Sequence, residues 1–139
     1  MRLKYYNRLD MNELERILHV EDEPDIQAIT KLALESFGGF SVKTCGSGRE
    51  AIDQAPEFRP DLILLDVMMQ DMGGPTVFQE LRRIPQIADT PILFMTAKAQ
   101  AREIEKFKGL GAIDVITKPF DPMTISDQIQ NIWKRYHDA

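Results

Sequence analysis

The stretch Leu62-Ile63-Leu64-Leu65-Asp66 decides the fold of this chain, because it sets four consecutive apolar side chains directly before a carboxylate. A continuous apolar run of this length is typical of a strand that is buried on both faces of a parallel sheet. Asp66 would then lie at the carboxyl end of that strand. Open α/β sheets bind their ligands at this edge.

Three other apolar runs end in polar side chains in the same way. Residues 17–20 lead into Glu21 and Asp22, residues 92–95 lead into Thr96, and residues 115–117 lead into Lys118. Acids, a hydroxyl and an amine at four strand ends can form one site although they lie far apart in the sequence. Such a set is suited to binding a divalent cation and a phosphoryl group.

Strand and helix signals alternate five times from Leu14 onward. Strict alternation without a hairpin turn predicts a parallel sheet with right-handed crossovers. We therefore predict an α/β fold, a doubly wound (βα)5 sandwich with a five-stranded parallel sheet and helices on both faces. Residues 1–13 carry no clear period and are expected to be a flexible N-terminal extension, with one domain over residues 14–139.

Proline, glycine and serine residues predict where the first two helices begin and end. The first helix is predicted to begin near Pro24 and to end at Gly38-Gly39. Its apolar positions at helical spacing are Ile26, Ile29, Ala33 and Phe37. Ser47 is expected to cap the second helix, which Pro56 and Pro60 should close.

Composition narrows the class of protein. The chain has 139 residues, a net charge of −5 and a single cysteine, Cys45, so it fits one domain without an internal disulfide. The acidic balance argues against binding nucleic acid through its phosphates, and no apolar run approaches the ~20 residues of a membrane span. We expect a cytoplasmic protein with neither a nucleic acid nor a membrane as its partner.

The expected site combines crowded carboxylates with positive groups. Glu21, Asp22 and Asp66 would repel one another, and a hard divalent cation relieves this repulsion. For Mg²⁺ we expect Asp22 and Asp66 as direct ligands, Glu21 as a ligand through water, and the backbone carbonyl of Met68 as a further ligand. A carboxylate nucleophile can form an acyl phosphate. Lys118 and the Thr96 hydroxyl would then offset the phosphoryl charge, with the small Ala97 leaving the approach open.

Four segments together resemble the receiver domains of two-component response regulators, with the chemotaxis-regulator type of fold. They are Val20-Glu21-Asp22-Glu23-Pro24, Leu64-Leu65-Asp66-Val67-Met68-Met69, Phe94-Met95-Thr96-Ala97 and Thr117-Lys118-Pro119-Phe120. Their order and separations are those of the family, and the resemblance covers residues 14–136. It implies the flavodoxin-like strand order 2-1-3-4-5.

The resemblance also implies roles for these residues. Asp66 would accept a phosphoryl group from a phosphohistidine on a sensor histidine kinase or a histidine phosphotransfer protein. Glu21 and Asp22 would form the Mg²⁺ pocket, Thr96 would hydrogen-bond the phosphoryl group, and Lys118 would contact it as a cation. In this family the Lys118–Pro119 bond is often cis, and Met68 and Lys98 line the entrance and tune hydrolysis.

Three positions depart from the family pattern. Glu21 stands where aspartate is commoner. Gln70 stands where a proline usually follows the phosphorylation loop, which suggests a less rigid loop. Val115 stands where many members carry an aromatic side chain that reports phosphorylation, so the switch would run through the backbone or another side chain.

We interpret the chain as a phosphoacceptor signalling domain rather than an enzyme, switching protein contacts with an unidentified target or passing the phosphoryl group on in a phosphorelay. It ends just after the fifth helix signal, which suggests an output through protein contacts. An alternative is a fragment of a larger response regulator or hybrid kinase. A Mg²⁺-dependent phosphatase with an aspartyl-phosphate intermediate is a weaker alternative, because it needs a second acid where Met68 stands.

Overall fold

A computed structural model describes residues 13–138. The extension expected over residues 1–13 therefore lies, except for Glu13, outside the described residues. The strands are β1 (Arg16–Val20), β2 (Ser41–Cys45), β3 (Leu62–Asp66), β4 (Ile92–Thr96) and β5 (Asp114–Thr117). The helices are α1 (Pro24–Gly38), α2 (Gly48–Phe58), α3 (Gly74–Arg82), α4 (Ala101–Leu110) and α5 (Ile125–Asp138), with a short 3₁₀ turn at Pro85–Ile87.

All neighbouring strands are parallel, in the order β2-β1-β3-β4-β5, which confirms the predicted fold and strand order. Alternate residues of β3 serve opposite faces of the sheet. Leu62 and Leu64 pack in the cluster that contains residues of α1 and α5, whereas Ile63 and Leu65 pack in the cluster that contains residues of α2, α3 and α4. The apolar run is continuous because β3 is covered on both sides.

Local sequence signals set the end of α1 and the start of α2. Gly39 adopts φ 70° and closes α1, and the Ser47 hydroxyl accepts a hydrogen bond from the Glu50 amide at the start of α2, as predicted. The prediction that Pro56 closes α2 is wrong. Pro56 lies inside the last turn, and the helix continues to Phe58 and ends at Arg59 with φ 54°. A proline this close to a helix end removes one internal hydrogen bond, while the buried Ala51 and Ala55 keep the helix packed.

The buried face of α1 is rotated from the predicted apolar stripe. Ala33 is buried, but Ile29 is 40% exposed and Phe37 57% exposed. The inward positions are instead Thr30, Ala33 and Leu34. A polar threonine replaces the expected isoleucine on the packed face, which leaves apolar surface on the outside of α1.

Glycine allows α3 to start directly against the end of β3. A Cβ at Gly74 would lie 2.6 Å from the Asp66 carbonyl oxygen and 2.8 Å from the Val67 Cα. Both neighbours are backbone atoms, so any larger residue would push α3 away from the acidic strand end. The close approach holds the residue 67–73 loop against the edge of the sheet that carries Asp66.

His19 is the least expected member of the core. It belongs to an apolar run in the sequence, and in the structure it is fully buried on β1 with no hydrogen-bond partner for either ring nitrogen. Burial, and then the nearby charge of Lys118, lower the pKa of His19 from 6.5 to about 3. The imidazole is therefore neutral at ordinary pH.

No helix within residues 13–138 has the length and apolar character that crossing a membrane requires.

Candidate functional site

Parallel pairing brings the four predicted polar strand ends to one edge of the sheet. β3 pairs with β4 up to Asp66 opposite Met95, and β4 pairs with β5 up to Thr96 opposite Thr117. Backbone bonds continue just past the strand ends. The Val67 amide donates to the Met95 carbonyl over 3.0 Å, and the Lys118 amide donates to the Thr96 carbonyl over 2.8 Å. These backbone hydrogen bonds therefore fix the positions from which the polar side chains at the strand ends extend.

Three carboxylates converge at this edge. Glu21, Asp22 and Asp66 each place a carboxylate oxygen within 4.8 Å of the others. Glu21 is fully buried and Asp66 is 3% exposed, whereas Asp22 is partly exposed. Burial and the charge of Asp66 raise the pKa of Glu21, although its contacts with Lys118 oppose the shift. The acids are crowded as the sequence predicted.

Lys118 bridges two of the three acids. Its Nζ lies 3.1 Å from Glu21 Oε1 and 3.2 Å from Asp66 Oδ1, and its side chain is 15% exposed. Burial acts to lower the pKa of Lys118, but hydrogen bonds and charges from Glu21 and Asp66 outweigh it and raise that pKa. The ammonium is therefore held in its charged form between two carboxylates.

The donor set fits a hard divalent cation. The cluster contains three carboxylates and one ammonium group, that of Lys118, so it carries an excess of negative charge. Oxygen ligands of this kind are what Mg²⁺ prefers, usually with several waters retained. A bound cation would relieve the remaining repulsion among the acids.

Thr96 and the entrance residues lie beside this cluster. The Thr96 side chain is nearly buried, and its Oγ1 accepts a hydrogen bond from the Lys98 amide over 3.1 Å. This hydrogen bond uses one lone pair of the Thr96 oxygen, so the hydrogen of the Thr96 hydroxyl can still be donated to another group. Ala97 and Lys98 are exposed, as is Met68, whose side chain is 78% exposed. The Lys118–Pro119 peptide bond is cis.

Comparison with known proteins agrees with this geometry. Residues 17–130 match the family described as response regulator receiver domain. The chain belongs to this family. The receiver domain is 39% identical over 122 residues to the alkaline phosphatase synthesis transcriptional regulatory protein PhoP of Bacillus subtilis, covering 86% of this chain and 49% of that protein.

A second curated relative and two solved structures extend the comparison. The DNA-binding dual master transcriptional regulator RpaA of Synechocystis is 36% identical, covering 86% of this chain and 49% of that protein. This receiver domain therefore spans about half the length of these curated relatives. A chemotaxis response regulator of Vibrio cholerae superposes with TM-score 0.78 at 31% identity, covering 86% of this chain and 98% of that one. The receiver domain of a Pseudomonas aeruginosa sensor histidine kinase superposes with TM-score 0.74 at 29% identity, covering 90% and 98%, and it holds a magnesium ion in its active-site cleft.

The loop after β3 contains two contacts that sequence reasoning did not find. The Gln70 amide donates to Asp22 Oδ2 over 3.1 Å. The Asp71 carboxylate accepts from the amides of Gly48 and Arg49 over 3.1 and 3.2 Å. Burial acts to raise the pKa of Asp71, but hydrogen bonds from several backbone amides, those of Gly48 and Arg49 among them, together outweigh it and lower that pKa. The sequence marks Gln70 only as a departure from the family pattern, and nothing in it signals which group the backbone amide of Gln70 contacts.

Proposed function

We propose that this receiver domain is the phosphoacceptor of a two-component signalling system, with Asp66 as the residue that takes the phosphoryl group. The observation that carries this proposal is the position of Lys118, within 3.2 Å of both Glu21 and Asp66 at the carboxyl edge of the sheet. A lysine shared between an acceptor carboxylate and a metal-site carboxylate is suited to hold a phosphoryl oxygen. The shared ammonium can turn toward the added charge without leaving the site.

In the proposed reaction an oxygen of the Asp66 carboxylate attacks the phosphorus of a phosphohistidine. A P–O bond forms, the P–N bond breaks, and the departing imidazole takes up a proton. Lys118 pairs with a phosphoryl oxygen and Thr96 donates its hydroxyl hydrogen to another. Mg²⁺, held by Glu21, Asp22, Asp66 and the Met68 carbonyl, would supply positive charge against the phosphoryl oxygens.

The surface beside the site supports a protein as the phosphoryl donor, namely a sensor histidine kinase or a histidine phosphotransfer protein. A shallow pocket of 320 Å³ is lined by Ile26, Ile29, Phe120 and Pro122 next to Lys118. Exposed apolar surface of this kind is typical of protein contacts. A small donor would gain nothing from it, whereas a helical protein partner could bury it while presenting its histidine.

Phosphorylation would act as a switch by favouring one of two conformations. We propose that α4, β5 and α5 form the surface that reports it to a downstream protein. Val115 is only 8% exposed. By the resemblance to the family, it stands where many members carry an aromatic side chain. The signal would therefore travel through backbone shifts after Thr96, or through another side chain, rather than through rotation of an aromatic ring.

The proposed function is tested by intact mass after incubation with phosphoramidate, whose P–N bond has the chemistry of phosphohistidine. We expect the mass of one phosphoryl group to be added in the presence of Mg²⁺, and none to be added with EDTA or in Asp66→Asn. Incorporation without Mg²⁺, or undiminished incorporation in Asp66→Asn, would overturn the proposal. Repeated hydrolysis of a phosphate monoester, which a phosphoacceptor that reacts with P–N bonds would not cleave, would favour the phosphatase alternative.

Met68 is proposed to shield the acyl phosphate from water. Its side chain is 78% exposed and follows Asp66 by two positions, so it can cover a group attached there. We expect Met68→Asn and Met68→Glu to shorten the lifetime of the phosphorylated protein by about tenfold, because each places a water-ordering group near the acyl phosphate. Loss of the phosphoryl mass with time measures this lifetime, and unchanged lifetimes in both variants would refute the shielding role.

A further inference from the structure

The last turn of α1 carries an aromatic side chain that stays largely exposed among the described residues 13–138. Phe37 is 57% exposed, although it follows the buried Leu34 by three positions and the buried Ala33 by four. Residues at these spacings share one face of a helix, so Phe37 belongs to the stripe that α1 turns toward the core. Its ring is exposed because this stripe extends past the surface that the described residues pack against it.

A second apolar side chain adds to the exposed surface of the same half of α1. Leu32 is 61% exposed, and it lies about 8 Å from Phe37 along the helix axis. The pocket proposed for the phosphodonor is lined instead by Ile26 and Ile29, nearer the start of the helix. Leu32 and Phe37, called here the α1 patch, are therefore apolar surface that the proposed function does not use.

The chain enters the domain beside the end of α1 that carries this patch. The Ser41 amide donates to the Glu15 carbonyl over 2.8 Å, and the Phe40 amide donates to the Leu34 carbonyl over 3.2 Å. Leu14 is buried in the same cluster as Leu34 and Phe40. The segment that precedes Leu14 is therefore tethered next to the last turn of α1.

That segment has the composition and the length to cover the patch. Residues 1–12 carry three basic residues and one acid, whereas the whole chain has a net charge of −5, so the segment and the rest of the domain have opposite charges. Twelve extended residues span about 40 Å, several times the length of the α1 patch. The apolar and aromatic residues of the segment after Met1 are Leu3, Tyr5, Tyr6, Leu9 and Met11.

We propose that residues 1–12 fold back on α1 and cover Leu32 and Phe37, so that the α1 patch is the docking site of the chain's own N-terminal segment. The sequence alone predicts a flexible extension, and the exposed stripe of α1 supplies the surface that the extension lacks. Burial of apolar side chains against the patch opposes the entropy cost of ordering the segment. Because a short tether keeps the segment at a millimolar effective concentration, modest contacts are enough to hold it in place.

Limited digestion of the whole chain with trypsin tests the docking, because Arg2, Lys4 and Arg8 place three cleavage sites in the segment. Intact mass follows the loss of residues 1–8 with time. We expect the double variant Leu32→Ser/Phe37→Ser to be cleaved after Arg8 about tenfold faster than the wild type, since a docked segment is cleaved only when it opens.

The matched control is Leu110→Ser. Leu110 is an exposed apolar residue at the end of α4 and lies outside the α1 patch. This variant should be cleaved at the rate of the wild type. Acceleration equal to that of the double variant would show a general loosening of the domain and would overturn the docking.

Equal cleavage rates in the wild type and the double variant would also overturn the proposal. If the double variant does not fold, amide hydrogen exchange of the wild type decides the matter: residues 1–12 should exchange more slowly than a synthetic peptide of the same sequence, and equal exchange would refute the docking. Sedimentation tests a different occupant, because a dimeric wild type with a monomeric double variant would assign the α1 patch to a second copy of the chain. No measurement here uses a phosphodonor, so this inference and the phosphoacceptor role can fail separately.

Discussion

Replacing Lys118 with methionine is expected to slow phosphoryl incorporation by about 100- to 1,000-fold, the usual cost of removing a group that stabilises developing charge. The same change leaves Glu21 and Asp66 buried without the ammonium that lies 3.1 and 3.2 Å from them. Uncompensated buried charge costs about 3 kcal/mol, so the metal-free protein should also unfold more readily. Both effects follow from one bridging side chain.

The Lys118 prediction is measured by the rate of mass gain from phosphoramidate and by urea unfolding with and without Mg²⁺. Mg²⁺ should restore much of the lost stability, because a bound cation replaces the missing positive charge. Lys134→Met is the matched control, since Lys134 is an exposed residue on α5. A Lys118→Met protein that reacts as fast as the wild type would contradict the assigned role.

Acid is expected to destabilise this domain through His19. Because the pKa of His19 falls from 6.5 to about 3 on folding, the unfolded chain binds the proton more readily throughout that interval. The free energy of unfolding is therefore not reduced by this titration above pH 6.5. Below pH 6.5 it falls by about 1.4 kcal/mol per pH unit, because protons bind the unfolded chain in preference. The burial of Glu21, whose pKa is raised, acts in the opposite direction.

The His19 contribution is isolated by comparing the wild type with His19→Leu between pH 7 and pH 4.5. At neutral pH the leucine variant should be the more stable by about 1 to 3 kcal/mol, since it removes two unpartnered ring nitrogens. This advantage should grow by about 3 kcal/mol at the acidic end. The only other histidine, His137, supplies the control His137→Gln. A constant difference across this pH range would show that His19 does not titrate as expected.

The sequence predicted the sheet because its signals are local. The continuous apolar run of β3, the glycine after α1 and the serine before α2 each act through neighbouring atoms, and the structure bears them out. The convergence of Glu21, Asp22 and Asp66 follows from parallel pairing alone, because parallel strands end at the same edge.

What the sequence missed depends on tertiary packing. Ile29 and Thr30 are adjacent in the sequence of α1, and the face with which the helix packs on the rest of the domain makes the threonine the buried one. Whether the ring nitrogens of His19 find hydrogen-bond partners depends on the groups that the fold packs around them, and within residues 13–138 none of these groups accepts a hydrogen bond from them or donates one to them. The contact between the Gln70 amide and Asp22 joins residues that lie 48 positions apart, and a backbone amide has no signature in a sequence. Propensity also failed at Pro56, where burial of α2 outweighs the loss of one hydrogen bond.

The most direct test of the account is to locate the phosphoryl group itself. Borohydride reduces an acyl phosphate to an alcohol, so it converts a phosphorylated aspartate into homoserine and marks the residue permanently. After incubation with phosphoramidate and Mg²⁺, peptide mass analysis should find homoserine at position 66 and nowhere else. Reduction at another acidic residue, or a phosphoryl group on a side chain that borohydride does not reduce, would contradict the assignment of Asp66 as the acceptor.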